Sequence, residues 1–505
     1  MPKIVRMFCK ISLLLTIFVV ILVSIAVLRA LFLSKESVPE TCTSEDNDYI
    51  SDSRGLSKRL SEALKFETVS YAKHKYNEKA LAEYLNFLNQ SFPLVHSSQL
   101  VTREIVNNFS VLYHVQGSNE KLKPYLLAGH MDVVPVEEQH WEFPPFGGQI
   151  KDGFIYGRGT IDCKHIVMGV LEAVEYLLEK GHRPQRSFYM AFGHDEEVQG
   201  LDGAKQISKL LKLRNVKLEY ILDEGSFVME NAIAGLNLPI GLISVSEKGH
   251  LDLKLEVQDQ PGHSSMPRKE TAIVILAKAL SKLEGNVFPS MFGSGPEIAM
   301  LEEMAYCPVP FPFKVVIGNM WLFKPIIPFF LTSPAMSAIH RTTTAVTVVS
   351  GGNKVNVLPS SASASVNLRV HPAQTIQEAM DFVIKIVNDE RVKVTKTVYT
   401  DPHPISPFDT FGYSQIKKSI MQIYNNTCVV PNLLIANTDT RWYLDLTKSI
   451  YRFSLVRMPL TEVHRFHGHN ERIGVENYVN VVNFFLHLIK NSDTEIPSKH
   501  FHEEL

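Results

Sequence analysis

The chain has 505 residues, of which 45% are hydrophobic and 21% charged, and its 51 basic residues nearly balance 53 acidic ones for a net charge of −2. That is the composition of an ordinary globular protein, which excludes a disordered or collagen-like chain. The balanced charge leaves no footprint for nucleic acid, and a single long apolar run argues against a polytopic membrane protein. That run comes first: Lys3, Arg6 and Lys10 precede an apolar stretch from Ile11 to Leu28. Residues 1–33 therefore read as a secretory signal peptide, with Ser24-Ile25-Ala26 as a small-x-small cleavage site, or as a retained type II signal anchor. Cleavage and secretion are preferred over anchoring. Either way the remainder lies in the lumen or outside the cell. The sequons at Asn89, Asn108 and Asn425 agree with this, and the terminal His502-Glu503-Glu504-Leu505 resembles an endoplasmic-reticulum retrieval signal. Five cysteines are too few for a disulfide scaffold; one bridge among Cys42, Cys163, Cys307 and Cys428 is open.

Residues 34–53 are polar and aperiodic and read as a linker. Leu56, Leu60 and Leu64 then mark a helical face. From about 122 short apolar strands alternate with helices: a strand at 125–128, a helix from Ile166 to Leu178 stopped by Gly181, and strands at 187–192 and 219–222. This alternation predicts an α/β catalytic domain with a largely parallel sheet flanked by helices. At 247 the texture changes. Strict alternation in 251–257 and 360–366, with helices at 271–283 and 375–387, predicts a sheet with one wet face and hence a smaller α+β domain over 247–400. It is inserted between the two parts of the first domain, 54–246 and 401–495, and 496–505 is a tail. Within the insertion, 286–335 is dense in proline and aromatic residues, among them Phe311, Phe313 and Trp321.

Four polar clusters end strands of the α/β part: Gly129-His130-Met131-Asp132, Gly157-Arg158-Gly159-Thr160-Ile161-Asp162, Gly193-His194-Asp195-Glu196-Glu197 and Asp223-Glu224-Gly225. Ligands of open α/β sheets bind beyond the carboxyl ends of strands. Any one of these residues alone is better read as a turn former or helix cap. Their coincidence at successive strand ends points to a metal site of hard imidazole and carboxylate ligands, suited to zinc, with enough carboxylates for one to bridge two ions. His464, His467 and His469 form a fifth cluster, and spacing alone does not choose among them.

The series GHMDVVP, GRGTIDCK, GHDEEVQG, LDEG and HGHNER resembles the dinuclear zinc metallopeptidases that include aminoacylase, carnosinase and yeast carboxypeptidase S. The resemblance runs over about 55–490. It implies a catalytic α/β domain with an inserted lid and two zinc ions per chain. His130, Asp162 and Asp223 would hold one ion, and Asp162, Glu197 and His467 the other, with Asp162 bridging. Glu196 would be the general base acting on a zinc-bridging hydroxide, and Asp132 the carboxylate that orients His130. In the lid, His263 would stabilise the oxyanion, while Asn356 and Arg369 would bind the substrate carboxylate. One departure stands out: Asp162-Cys163-Lys164-His165 replaces the usual Asp-Asp-Lys-Asn, so Cys163 could tune or bind metal.

The resemblance further implies a reversible amidohydrolase of N-fatty-acyl amino acids, cleaving them to fatty acid and amino acid or condensing the two. The rivals are a carboxypeptidase acting on peptides and an inactive zinc-containing carrier of acyl amino acids. The partners expected are these small molecules, a lipid or lipoprotein surface, and a second copy in a homodimer; no nucleic acid is expected. The aromatic segment 286–335 is compatible with a wall for a long acyl chain.

Overall fold

The computed structural model describes residues 3–33, 48–231 and 238–494. The side chains of Lys3 and Arg6, Cys9 and Cys42, most of the 34–53 linker and the 496–505 tail with its terminal tetrapeptide lie outside the described residues. Two compact units make up the chain. One comprises Val38–Ser246, Ile405–Val429 and Ala436–Leu505; the other comprises Met1–Ser37, Glu247–Pro404 and Val430–Ile435.

The first unit is built on a mixed sheet of long strands. Within this unit its order runs Ile240–Glu247, Ile450–Pro459, Ile221–Glu230, Tyr125–His130, Phe188–Gly193, Ser110–Val115 and Val101–Val106. The four central strands, Ile450–Pro459 through Phe188–Gly193, run parallel. The sheet is mixed rather than largely parallel, because antiparallel strands close both sides. At one edge the reason is local. Asn107 and Asn108 both take left-handed φ values of 48° and 72°, which turns the chain back as a tight hairpin.

Alternation along Tyr125–His130 serves two cores. Tyr125 and Leu127 face helices Lys164–Glu179 and Val475–Ser492, while Leu126 and Ala128 face helix Ala204–Leu213. Helix Lys164–Glu179 is buried almost all round, since it lies between the sheet and Val475–Ser492. It stops where the sequence places the stop: Gly181 has φ 71°, and His182 N bonds back to Leu177 O at 2.9 Å.

The second unit holds a four-stranded antiparallel sheet in the order Thr343–Gly351, Ser361–Val370, Gly249–Gln258, Val392–Thr400. Leu251, Leu253, Leu255 and Val257 pack beneath helices Ala272–Gly285 and Ile376–Val387, and the intervening residues are partly exposed. The second of these helices begins in a capping box of Thr375 and Glu378. The proline-rich stretch forms short helices only: Glu297–Met304, Phe311–Ile317, Met320–Phe323 and Pro334–His340. Its aromatic residues divide. Phe288 and Phe292 are core, and Phe288 packs on Phe382 with ring centroids 4.2 Å apart; Phe311, Trp321, Phe329 and Phe330 are exposed. Cys163 is a free, buried thiol, and Cys307 and Cys428 are each in a disulfide.

Leu171 is fully buried in the central helix. Leu171→Ala should destabilise the first unit by about 2–5 kcal/mol. Denaturant unfolding followed by tryptophan fluorescence measures this, and a loss below about 1 kcal/mol would place that face outside the core.

Candidate active site

His130 is the last residue of its strand, paired with Gly193 of the neighbouring parallel strand, so the two chains leave the sheet side by side. Asp132 follows one, and the 3₁₀ turn Glu196–Val198 follows the other. The buried Asp132 carboxylate links them. It accepts from the backbone N–H groups of Glu196 at 3.0 Å and Glu197 at 3.2 Å, and it lies 3.3 Å from His130 Nδ1. The Asp132 carbonyl oxygen is 2.9 Å from the same Nδ1. Both contacts direct Nε2, the other ring nitrogen, into the site.

Asp162 stands just before helix Lys164–Glu179 and is drawn on from two directions. Its Oδ1 is 3.0 Å from His130 Nε2, and its Oδ2 is 2.9 Å from His467 Nε2. His467 Nε2 is also 3.1 Å from Glu197 Oε2. Of the three downstream histidines the structure thus brings His467 to Asp162 and Glu197. His464 bonds through Nδ1 to Thr461 O, and His469 packs at a tilt against His140. His467 has φ 57°, and the tight turn needs Gly468, because a Cβ there would lie 2.1 Å from His464 O.

This distant loop is latched by a buried ion pair. Arg158 Nη1 donates to Glu471 Oε2 at 2.6 Å, and its Nη2 donates to the carbonyls of His467 and Gly468 at 3.0 and 3.1 Å. Glu471 Oε1 accepts from Ile161 N at 2.8 Å, next to Asp162. Both residues stand in the sequence motifs, yet a charged side chain in a glycine-rich loop carries no mark of such a role.

Asp223 and Glu224 are not equivalent. Glu224 Oε1 is 3.4 Å from His130 Nε2. Asp223, the expected ligand, is buried, accepts from Glu224 N at 2.9 Å, and bears electrostatically on Asp439 and Tyr443. Among the described residues, the groups whose ligand atoms converge are His130–Asp162–Glu197 and His130–Cys163–Glu224. Here the pairing slips between Arg452 and Phe453, opposite Asp223–Ser226, a local irregularity of the strand. Cys163 Sγ accepts from His130 N at 3.1 Å, so its thiol supports the histidine's backbone, and burial pushes its pKa well up.

Glu196 meets a residue absent from the sequence reading: Arg441 Nη2 donates to its Oε1 at 3.1 Å. Arg441 follows strand Cys428–Leu434 in the polar run Asn437-Thr438-Asp439-Thr440-Arg441, one more strand-end cluster of the kind already noted. Burial and then Asp439 raise the Glu196 pKa well above the carboxylate range. Burial and then Asp162 push Glu197 up to about 7; burial does the same to Glu224. Burial opposes charge on Asp162, but bonds from His130 and His467 hold its carboxyl well below the usual range. Those two bonds of His467, to Asp162 and Glu197, push the imidazole up to about 11.

Acids pressed toward neutrality around imidazoles pressed toward charge are what a cation would relieve. Glu197 Oε1 is buried with no hydrogen-bond partner, a lone pair left for an ion. Imidazole and carboxylate donors suit zinc, so the residues present fit a metal.

His263, Asn356 and Arg369 belong to the second unit. His263 is exposed, its Nδ1 2.7 Å from Ser265 Oγ. It pairs with Val357, and Ser264 N donates to Asn356 O at 3.2 Å, so His263 and Asn356 sit on adjoining segments. Arg369 lies on the central strand Ser361–Val370, between His250 and Thr343 of the flanking strands.

Residues 126–491 match the peptidase family M20/M25/M40. The chain is 45% identical over 448 residues to an N-fatty-acyl-amino acid synthase/hydrolase of Xenopus tropicalis, covering 88% of this chain and 87% of that one. It is 41% identical over 447 residues to a probable carboxypeptidase S-like protein of Dictyostelium discoideum, covering 87% and 85%. Its fold resembles the crystal structure of a metallo-carboxypeptidase from Sulfolobus solfataricus, with a TM-score of 0.63 at 17% identity over 89% of this chain and 99% of that one. With its strand-end histidines and carboxylates gathered around Asp162, and with that match over most of its length, the chain belongs to peptidase family M20/M25/M40.

Proposed function

We propose that this protein is a zinc-dependent amidohydrolase acting reversibly on N-fatty-acyl amino acids. The acyl preference rests on the 45% identity to a relative named for that reaction. The observation that carries the chemistry is Asp162: one of its oxygens faces His130 and the other His467, so a single carboxylate serves two ligand groups. On this reading His130, Asp162, Glu197 and His467 would hold the zinc ions, with Asp162 the carboxylate that both histidines reach. A fifth ligand, the third carboxylate, would come from the Asp223–Glu224 pair, where the 3.4 Å approach to His130 favours Glu224. When bound, such ions supply Lewis acidity and bring the pKa of water toward neutrality.

The chain's own residues do the rest. Glu196, buried with its pKa raised, takes a proton from the attacking water and returns it to the leaving amide nitrogen. Arg441 holds the Glu196 carboxylate in place during both transfers. Asp132 keeps His130 and the Glu196–Glu197 turn in register. His263, with Asn356 beside it, would stabilise the oxyanion, and the Arg369 guanidinium fork would take the substrate carboxylate. A catalyst accelerates both directions equally, so concentrations and access of water set the net flux. The N-terminal apolar helix routes the chain into the secretory pathway.

An N-long-chain-acyl amino acid should be turned over with a kcat/KM at least tenfold above that of an N-blocked dipeptide. The reverse order would assign a peptide carboxypeptidase, and turnover of neither, with zinc bound, would assign a carrier. Glu196→Gln should lower kcat by about 10²–10⁴-fold with zinc content unchanged in mass-spectrometric metal analysis. Loss of zinc instead would make Glu196 a ligand. The same analysis on Glu224→Gln should find reduced zinc, whereas Asp223→Asn should retain it; the opposite result would return the ligand role to Asp223.

A further inference from the structure

The N-terminal helix Lys3–Phe32 does not stand alone. Over Lys10–Phe32 its length and mean hydropathy of 3.1 suffice to cross a membrane, and nearly all of its side chains are exposed. Ala26 and Ala30, one turn apart, are buried, each 1% exposed. They lie where the helix meets Phe311–Ile317 of the same unit. Asn319 Nδ2 donates to Ala26 O at 3.0 Å, and Lys314 Nζ donates to Leu33 O at 2.8 Å. A Cβ on Gly318 would come within 2.7 Å of the Leu33 side chain. Small residues that let two backbones approach, with an amide bonding across, are how helices associate in lipid. The Asn319 side chain is wholly buried and spends one of its donors on this helix, an investment unlike that of a segment used only for targeting.

The receiving segment presents apolar side chains outward too. Trp321 and Ile326 are each 52% exposed, Phe329 79% and Phe330 78%. From 304 to 340 there is no acidic residue, and over 310–330 the only charges are Lys314 and Lys324. Exposed aromatic residues with lysines and no acids, continuous with a helix able to span a bilayer, make the composition of an interfacial membrane element.

We propose that helix Lys3–Phe32 is retained as an anchor and that residues 310–330 seat in the bilayer surface beside it. Ile326, Phe329 and Phe330 enter the acyl boundary, Trp321 lies at the interface, and Lys314 and Lys324 meet headgroup phosphates. The occupant of this face is a phospholipid bilayer, and the inference is independent of the substrate assigned above.

The test uses the full chain reconstituted into phosphatidylcholine–phosphatidylglycerol vesicles carrying brominated acyl chains. The chain should resist alkaline extraction, and part of its tryptophan emission should be quenched by bromine placed near the interface. That quenched part should vanish in Trp321→Phe, which leaves Trp141 and Trp442, and should shrink in the double variant Phe329→Ser/Phe330→Ser with an unchanged melting temperature. Release by alkali, or Trp321 emission indifferent to brominated lipid in a chain that stays inserted, would overturn the proposal.

Discussion

The catalytic unit depends on one buried carboxylate. Asp132 has no exposed surface, and it touches the imidazole of His130 and the backbone N–H groups of both Glu196 and Glu197. A carboxylate is expensive to bury unless its lone pairs are taken up, and here three donors from two strand ends take them up. The arrangement is self-consistent. The two parallel strands must be in the register that pairs His130 with Gly193 for the donors to reach one acceptor. Once they do, Glu196 and Glu197 can only project into the space that Nε2 of His130 also faces. Orientation of base and ligands follows from backbone hydrogen bonds, which are rigid, rather than from the flexible ends of long side chains.

A second device closes the site from afar. The Arg158–Glu471 pair joins residues more than three hundred positions apart and sits wholly in the interior. Buried ion pairs are weak stabilisers on balance, since desolvation offsets most of the attraction. Their geometry is nevertheless specific. Arg158 also holds the carbonyls of His467 and Gly468, and Glu471 also holds Ile161 N. The pair therefore fixes His467 relative to Asp162, a contact that a surface loop could not keep unaided.

Electrostatics explain why such devices are needed. Asp162, Glu196, Glu197 and Glu224 are crowded around His130, and burial raises the pKa of the last three carboxyls. The fold imposes this crowding on the site, and Arg441, His130 and His467 offset only part of it. What remains is a demand for positive charge, built into the protein by the same burial that makes Glu196 a base rather than a solvated carboxylate.

Much of this was legible in the chain of residues. Strand-end clusters, the alternation in 251–257 and the glycine at 181 each express a local rule: a strand delivers its last residue to an edge, a half-buried strand alternates, and a left-handed stop needs glycine. Local rules are written in neighbouring residues, so His130, Asp132, Asp162, Glu196 and Glu197 could be read as candidates, as could the α/β and α+β textures. The tertiary structure decided what depends on distance along the chain. It selected His467 over His464 and His469, because only the turn held by Arg158 brings that imidazole to Asp162. It set Glu224 Oε1 3.4 Å from His130 Nε2, a contact between two strands that spacing does not show. It added Arg441 from a turn far downstream, and it set the N-terminal helix against Phe311–Ile317. Each of these is a contact between segments whose meeting costs chain entropy and is repaid only by packing of the whole, so no window of sequence contains it.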